Sequence, residues 1–200
     1  MRTPDGLDAI RGALTRLGRD TSDYDLNPGT VLTPGRVLRP AAVLVGFQPG
    51  PHGLRLILTK RASHLKHHPG QIAFPGGKQD KDDANATSAA LREAREEIGL
   101  APDQVRVIGA IQPHETITGF VITPVLAEID PLFTPTSQEA EVEEVFSVPY
   151  SHVCNPANFH IESRLWRGIR RHYYTVPYGP YYIWGATARI LRALADRVGP

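Results

Sequence analysis

The chain has 200 residues, enough for one domain with a sizeable core. Apolar residues make up 41 % and charged residues 22 %, as in ordinary globular proteins, and a net charge of +1 gives no support to a nucleic-acid partner. A single cysteine, Cys154, excludes an intrachain disulfide; with no secretory signal in residues 1–20 and no apolar run long enough to span a bilayer, a cytoplasmic protein with no membrane partner is expected.

Leu7, Ile10, Leu14 and Leu17 recur at helical spacing and predict an amphipathic helix over 6–18. Residues 19–37 read as a connecting loop. Residues 37–47 and 54–59 are rich in Val, Leu and Ile and predict strands flanking a Pro/Gly turn. Residues 62–84 read mostly as loop, with a short extended piece at 71–74. A helix follows at about 85–98, with Asn85 as N-cap and Gly99 just past its end. Strands are expected at 104–111, 119–129 and 142–148, then a hairpin of 159–166 and 171–176 about Arg167-Gly168. An amphipathic helix over 184–198 ends the order. Strands outnumber helices without a regular βαβ alternation. That predicts an α+β fold, an α/β/α sandwich around a mixed β-sheet.

The chemistry concentrates on the middle helix. Glu93, Glu96 and Glu97 stand at i, i+3 and i+4, which puts three carboxylates on one face, about 5–6 Å apart at Cβ. Like charges so close repel and destabilise the helix unless a cation lies among them. Oxygen-only ligands at high charge density suit Mg²⁺ or Mn²⁺, not zinc. Phe74-Pro75-Gly76-Gly77-Lys78 precedes the helix. Its glycines allow the backbone of Gly77 to approach a ligand, and the Gly76 carbonyl can face a cation. A metal held by carboxylates beside such a loop is a layout for a polyphosphate, and the reaction class that follows is phosphoanhydride hydrolysis.

The segment from Gly77 to Leu100 resembles the Nudix box, whose core Arg-Glu-x-x-Glu-Glu-x-Gly stands here as Arg92-Glu93-Ala94-Arg95-Glu96-Glu97-Ile98-Gly99. Three details depart from the generic box. Asp83 occupies the place of a glutamate, eight residues (84–91) precede Arg92 where seven are usual, and Ala94 is smaller than the usual aliphatic residue. The departures are similar to those of the coenzyme A pyrophosphatase subgroup. So is the upstream stretch 58–77, LTKRASHLKHHPGQIAFPGG, together with Glu141-Val142, Val145 to Pro149 and Ile183 to Ala188. The resemblance covers roughly residues 38–195. It divides the chain into an N-terminal helix and connecting loop, 1–37, and a Nudix hydrolase domain, 38–200.

The resemblance implies a Nudix-type sandwich that cleaves the diphosphate of coenzyme A or a derivative, giving 3′,5′-ADP and 4′-phosphopantetheine. It implies Glu93 and Glu97 as ligands of Mg²⁺ or Mn²⁺, Glu96 as ligand or water contact, the Gly76 carbonyl as a further ligand, and Arg92 as the group that orients a box glutamate. Glu93 and Glu96 carry the catalysis. They act with a downstream glutamate, Glu141 in preference to Glu139, Glu143 or Glu144, with Glu115 an outsider. Substrate contacts fall to Arg61, His68, Gln71 and Gly77. Other readings are a Nudix hydrolase of another nucleoside diphosphate derivative, such as ADP-ribose or a dinucleotide, and a non-catalytic Nudix-fold sensor. A homodimer is an open expectation.

Several residues have plainer readings. His64, His67 and His68 lack the carboxylate or cysteine partners of a zinc site, and His68 could equally be a buried structural histidine. Arg164, Arg167, Arg170, Arg171 and His172 read as a solvated hairpin face. Tyr173, Tyr174, Tyr178, Tyr181, Tyr182 and Trp184 read mainly as core or strand aromatics, with stacking on an adenine as the alternative. Cys154 has no base partner and reads as an inert thiol.

Overall fold

Side chains on a strand alternate between its two faces, and here both faces are apolar, so the central sheet must be covered on both sides. The computed structural model describes residues 6–166 and 168–199, and among them the elements run in this order. Helix α1 (Gly6–Ala13) and strand β1 (Thr21–Ser22) lead into β2 (Arg39–Gly50), β3 (Gly53–Arg61), β4 (Ile72–Ala73) and β5 (Gly76–Lys78). Then come α2 (Ala86–Ile98), β6 (Val105–Ala110), β7 (His114–Glu115), β8 (Phe120–Ile129), β9 (Val142–Pro149), α3 (Tyr150–Val153), the hairpin β10 (His160–Trp166) and β11 (Ile169–Thr175), and α4 (Gly185–Val198). No described helix is long and apolar enough to cross a membrane.

The sheet is mixed. Strand β2 runs parallel to β8 and antiparallel to β3 and β5, β3 pairs antiparallel with β9 and β4, and β6 and β7 pair antiparallel with β8. Alternate residues sort its two cores. Val45, Phe47, Leu56, Leu58 and Leu126 face α1 and α4. Ala42, Leu44, Ile57, Val125 and Ala127 face α2. Helix α2 meets the sheet with Ala89, Ala90, Ala94 and Ile98, all fully buried. Alanines there let the helix sit close to the strands, which brings its carboxylates to the sheet backbone. Asn85 caps its first turn in a capping box with Ser88, and Gly99 ends it in the left-handed conformation at φ 72°.

The predicted α/β/α layering is therefore observed. Helix α1 is shorter than the spacing suggested: it ends at Ala13, and Leu17 is fully exposed. The loop expected over 19–37 contributes β1, which pairs with β7. Fully buried His114 ties the two strands, with Nδ1 3.0 Å from Thr21 Oγ1 and Nε2 3.1 Å from Asp23 Oδ1. Within the stretch read mostly as loop over 62–84, the extended piece expected at 71–74 forms β4, and β5 is a second short strand. The hairpin forms as expected; Arg167 at its turn lies outside the described residues.

Candidate active site

The spacing of Glu93, Glu96 and Glu97 gives one helix face, but packing places the three carboxylates at different depths. Glu97 is buried at 4 % exposure, Glu93 is half-buried, and the Glu96 side chain is 59 % exposed. The glycine pair on β5 makes the depth of the first two attainable. The Gly76 N–H donates to Glu97 Oε2 at 3.1 Å. Gly76 itself has φ 153°, and a Cβ there would stand 2.4 Å from the Ala42 carbonyl oxygen. A Cβ on Gly77 would stand 2.4 Å from Glu93 Oε1. The two carboxylates thus rest directly on the β5 backbone, at a distance only glycine allows.

The repulsion expected among these acids is answered in part from inside the chain. Arg92 Nη1 donates to Glu93 Oε1 at 3.0 Å and to Glu96 Oε2 at 3.1 Å. Its other edge forks onto Asp83, Nε to Oδ1 at 3.2 Å and Nη2 to Oδ2 at 2.9 Å, and reaches the Lys78 carbonyl at 3.0 Å. Asp83 also accepts from the Asp80 N–H at 2.8 Å, and its carboxyl is held below the usual range chiefly by Arg92. Arg92 was expected to orient a box glutamate; it orients two, and Asp83 fixes Arg92. The role of Asp83 was missed in the sequence, although its place six residues after Gly77 was the available signal.

Glu97 has no such partner. Burial pushes its carboxyl up to about 7, and the neighbouring charges of Glu93 and Glu141 add to this against the opposing pull of the Gly76 N–H and Arg61. Burial likewise raises Glu93, offset by Arg92 and reinforced by Glu96 and Glu141.

The structure sorts the downstream glutamates. Glu143 pairs with Lys60 at 2.5 Å and with the Ser63 hydroxyl, and Glu144 accepts from the Tyr181 hydroxyl. Glu115 lies on β7, ion-paired with Arg36 at 2.7 Å. Glu141 is exposed in the turn before β9 and is the one of these whose charge acts on both Glu93 and Glu97.

Arg61 ends β3. Its backbone is clamped by the 68–71 turn, accepting from the Gly70 N–H at 3.1 Å and donating to the Gln71 carbonyl at 3.0 Å. Its charge acts on Glu97, yet its buried Nε has no hydrogen-bond partner, and it makes no ion pair among the described residues. His68 is exposed, with φ 55°, which removes the alternative of a buried structural histidine. His64 and His67 are exposed as well. His68 and Gln71 line an open cavity of about 730 Å³ whose walls include Tyr181, Tyr182 and Trp184 and none of the α2 glutamates. Tyr174 and Tyr178 pack against the core, and Cys154 is buried with its thiol pushed up by burial, as its inert reading requires.

A sequence profile described as NUDIX domain matches residues 37–166. The chain belongs to the Nudix hydrolase family. It is 42 % identical over 165 residues to the Nudix hydrolase NudL of Enterobacter sp. (strain 638), covering 80 % of this chain and 83 % of that one. NudL of Salmonella paratyphi B matches to the same extent. A MutT/nudix family protein from Enterococcus faecalis has the same fold, with a TM-score of 0.51 at 14 % identity, covering 86 % of this chain and 66 % of that one. As a Nudix hydrolase the protein acts on phosphoanhydride bonds of nucleoside diphosphate derivatives, and the family generally uses divalent metal ions.

The residues fit such a cation in chemistry. The donors are all oxygens, and two of them, the carboxyls of Glu93 and Glu97, are driven above their usual range chiefly by burial and further by neighbouring carboxylates, a condition a divalent cation relieves.

Proposed function

We propose that this Nudix hydrolase cleaves the diphosphate of coenzyme A or a derivative, releasing 3′,5′-ADP and 4′-phosphopantetheine. What supports this reading most is Arg61. The stretch 58–77, which resembles the coenzyme A subgroup, runs past the acid cluster and leaves there a guanidinium with an unpaired buried Nε whose charge reaches Glu97. A cation so placed suits a diphosphate oxygen, where a charge-assisted hydrogen bond forms without first breaking an internal one.

In this reading Glu93, Glu97 and Glu96, with the Gly76 carbonyl, hold Mg²⁺ or Mn²⁺. When bound, the cation neutralises diphosphate charge and lowers the proton affinity of water. Glu141 takes the proton from the attacking water, being close enough for its charge to act on both Glu93 and Glu97 and exposed enough to meet substrate. Gly77 offers a backbone bare of side chain on which the diphosphate can lie. Arg92 keeps Glu93 and Glu96 in place, itself fixed by Asp83. His68 and Gln71 meet the part of the substrate beyond the diphosphate.

The test is a panel of coenzyme A, ADP-ribose and a dinucleoside polyphosphate with Mg²⁺ and Mn²⁺, products identified by mass, run on wild type and Arg61→Ala. Coenzyme A should have the highest kcat/KM. Arg61→Ala should lower it roughly 10- to 100-fold, the worth of one charge-assisted contact, with the melting temperature nearly unchanged because no internal bond is lost. Faster hydrolysis of ADP-ribose would transfer the assignment to that substrate class, and binding without metal-dependent product release would make the protein a sensor.

A further inference from the structure

The cavity of about 730 Å³ beside the 68–71 turn is not consumed by the acid cluster, and its walls have a distinct chemistry. Tyr181, Tyr182 and Trp184 supply aromatic surface, and Lys60, His68 and Arg164 supply cationic or protonatable groups. Their partners separate them. Lys60 is paired with Glu143 at 2.5 Å. Glu144, the acidic group of the lining, accepts from the Tyr181 hydroxyl, and the Tyr181 ring lies stacked on Phe146 with centroids 3.6 Å apart. The Tyr182 hydroxyl donates to Glu162 at 2.6 Å. The side chains of Arg164 and His68 make no hydrogen bond or ion pair among the described residues, and of the two only Arg164 carries a permanent charge. Its guanidinium lies over the Trp184 ring, 4.4 Å from the centroid, and the ring is held on its other contact by Tyr173 at 5.2 Å.

An arginine held over an indole is already partly ordered and loses little freedom when its planar fork engages an oxyanion. Aromatic faces beside it suit a base, because every base has a π-face to stack. The cavity starts one residue along β3 from Arg61, since Lys60 belongs to its wall, and the 68–71 turn is hydrogen-bonded to the Arg61 backbone. The cavity is thereby contiguous with the turn that clamps the Arg61 backbone.

We infer that this cavity is the nucleotide subsite, and that Arg164, mounted on Trp184, reads a phosphomonoester on the ribose, selecting nucleotides that carry one over those that do not. The inference rests on the coenzyme A reading for the placement of the scissile bond, but its test does not need hydrolysis. An amide-rich acyl arm gives no counter-charge to a free guanidinium, so the nucleotide end is the better occupant.

The experiment is equilibrium binding of adenosine 3′,5′-bisphosphate against AMP, without divalent cation, to wild type, Arg164→Gln and Arg164→Lys. The readout is the ratio of the two dissociation constants. Wild type should favour the bisphosphate by tenfold or more, Arg164→Gln should bring the ratio close to unity, and Arg164→Lys, which keeps charge but loses the fork, should fall between. Circular dichroism checks that the exposed substitution leaves the fold intact. Equal binding of both nucleotides by wild type, or a ratio that survives Arg164→Gln, overturns the assignment. Discrimination by wild type and its loss in Arg164→Gln uphold the subsite even if coenzyme A proves not to be hydrolysed, an outcome that would remove the functional reading alone.

Discussion

Replacing Glu97 by glutamine turns the burial of one carboxyl into a measurable pH dependence. The carboxyl lies at about 7 in the folded protein against an ordinary 4.5, because burial penalises its charged form. Between those values the native state holds a proton that the unfolded chain has released. The stabilising contribution is therefore complete below pH 4.5 and is lost as the pH rises through 7. At about 1.4 kcal/mol for each tenfold change in proton affinity, the loss amounts to about 3 kcal/mol in metal-free protein. Glutamine keeps the shape and an acceptor for the Gly76 N–H but cannot ionise. The difference in stability between Glu97→Gln and wild type should shift in favour of the variant by about that amount from pH 4.5 to pH 8. In a chain of this size that corresponds to roughly 6–12 °C in melting temperature. Thermal melts in chelator across that range measure it. Adding saturating Mg²⁺ or Mn²⁺ at pH 8 should restore much of the wild-type stability and little in the variant, while turnover of the variant falls steeply. A difference that stays constant from pH 4.5 to 8 would refute the buried-carboxylate reasoning.

Two further substitutions test the site geometry. Gly77→Ala should fold, because the atoms its Cβ meets are the flexible end of Glu93, but should displace that carboxylate and lower turnover at least tenfold; unchanged turnover would show that the close approach is dispensable. Glu141→Gln should lower kcat by a factor on the order of 10² to 10⁴ as befits a general base, while Glu143→Gln, which weakens surface contacts with Lys60 and Ser63, should stay within about twofold; the reverse order would move the base to Glu143.

How far the sequence could be read depended on how local each feature is. Helix α2 was legible because its cap, its alanine face and its terminal glycine all lie within one segment, and the three glutamates inherit their alignment from it. The central strands were legible from apolar runs. Strand β4 was marked by the extended piece at 71–74, whereas β5 and β7 were harder, being two or three residues long and defined by partners distant in the chain. The end of α1 was misread because Leu17 continues the apolar pattern although nothing packs on it. Glu141 could not be separated from Glu143 and Glu144 by spacing. The separation comes from Lys60, Ser63 and Tyr181, which occupy the other two from β3, the following loop and the stretch before α4. The cavity wall was legible only in pieces, as substrate contacts at His68 and Gln71 and as aromatics able to stack an adenine; that these join Lys60, Glu144 and Arg164 in one wall depends on contacts distant in the chain.

Arg92 has a consequence for the order in which the protein matures. Three glutamates on one helix face repel one another, at about 0.2–0.5 kcal/mol per pair, and a cation from solution would ordinarily offset that cost. Here the chain brings its own: the guanidinium sits between Glu93 and Glu96 and is anchored from behind by Asp83. The acidic face is thus self-compensated except at Glu97, whose burden is a single carboxyl that can hold a proton instead. The fold should therefore form before any cation is loaded and survive its removal.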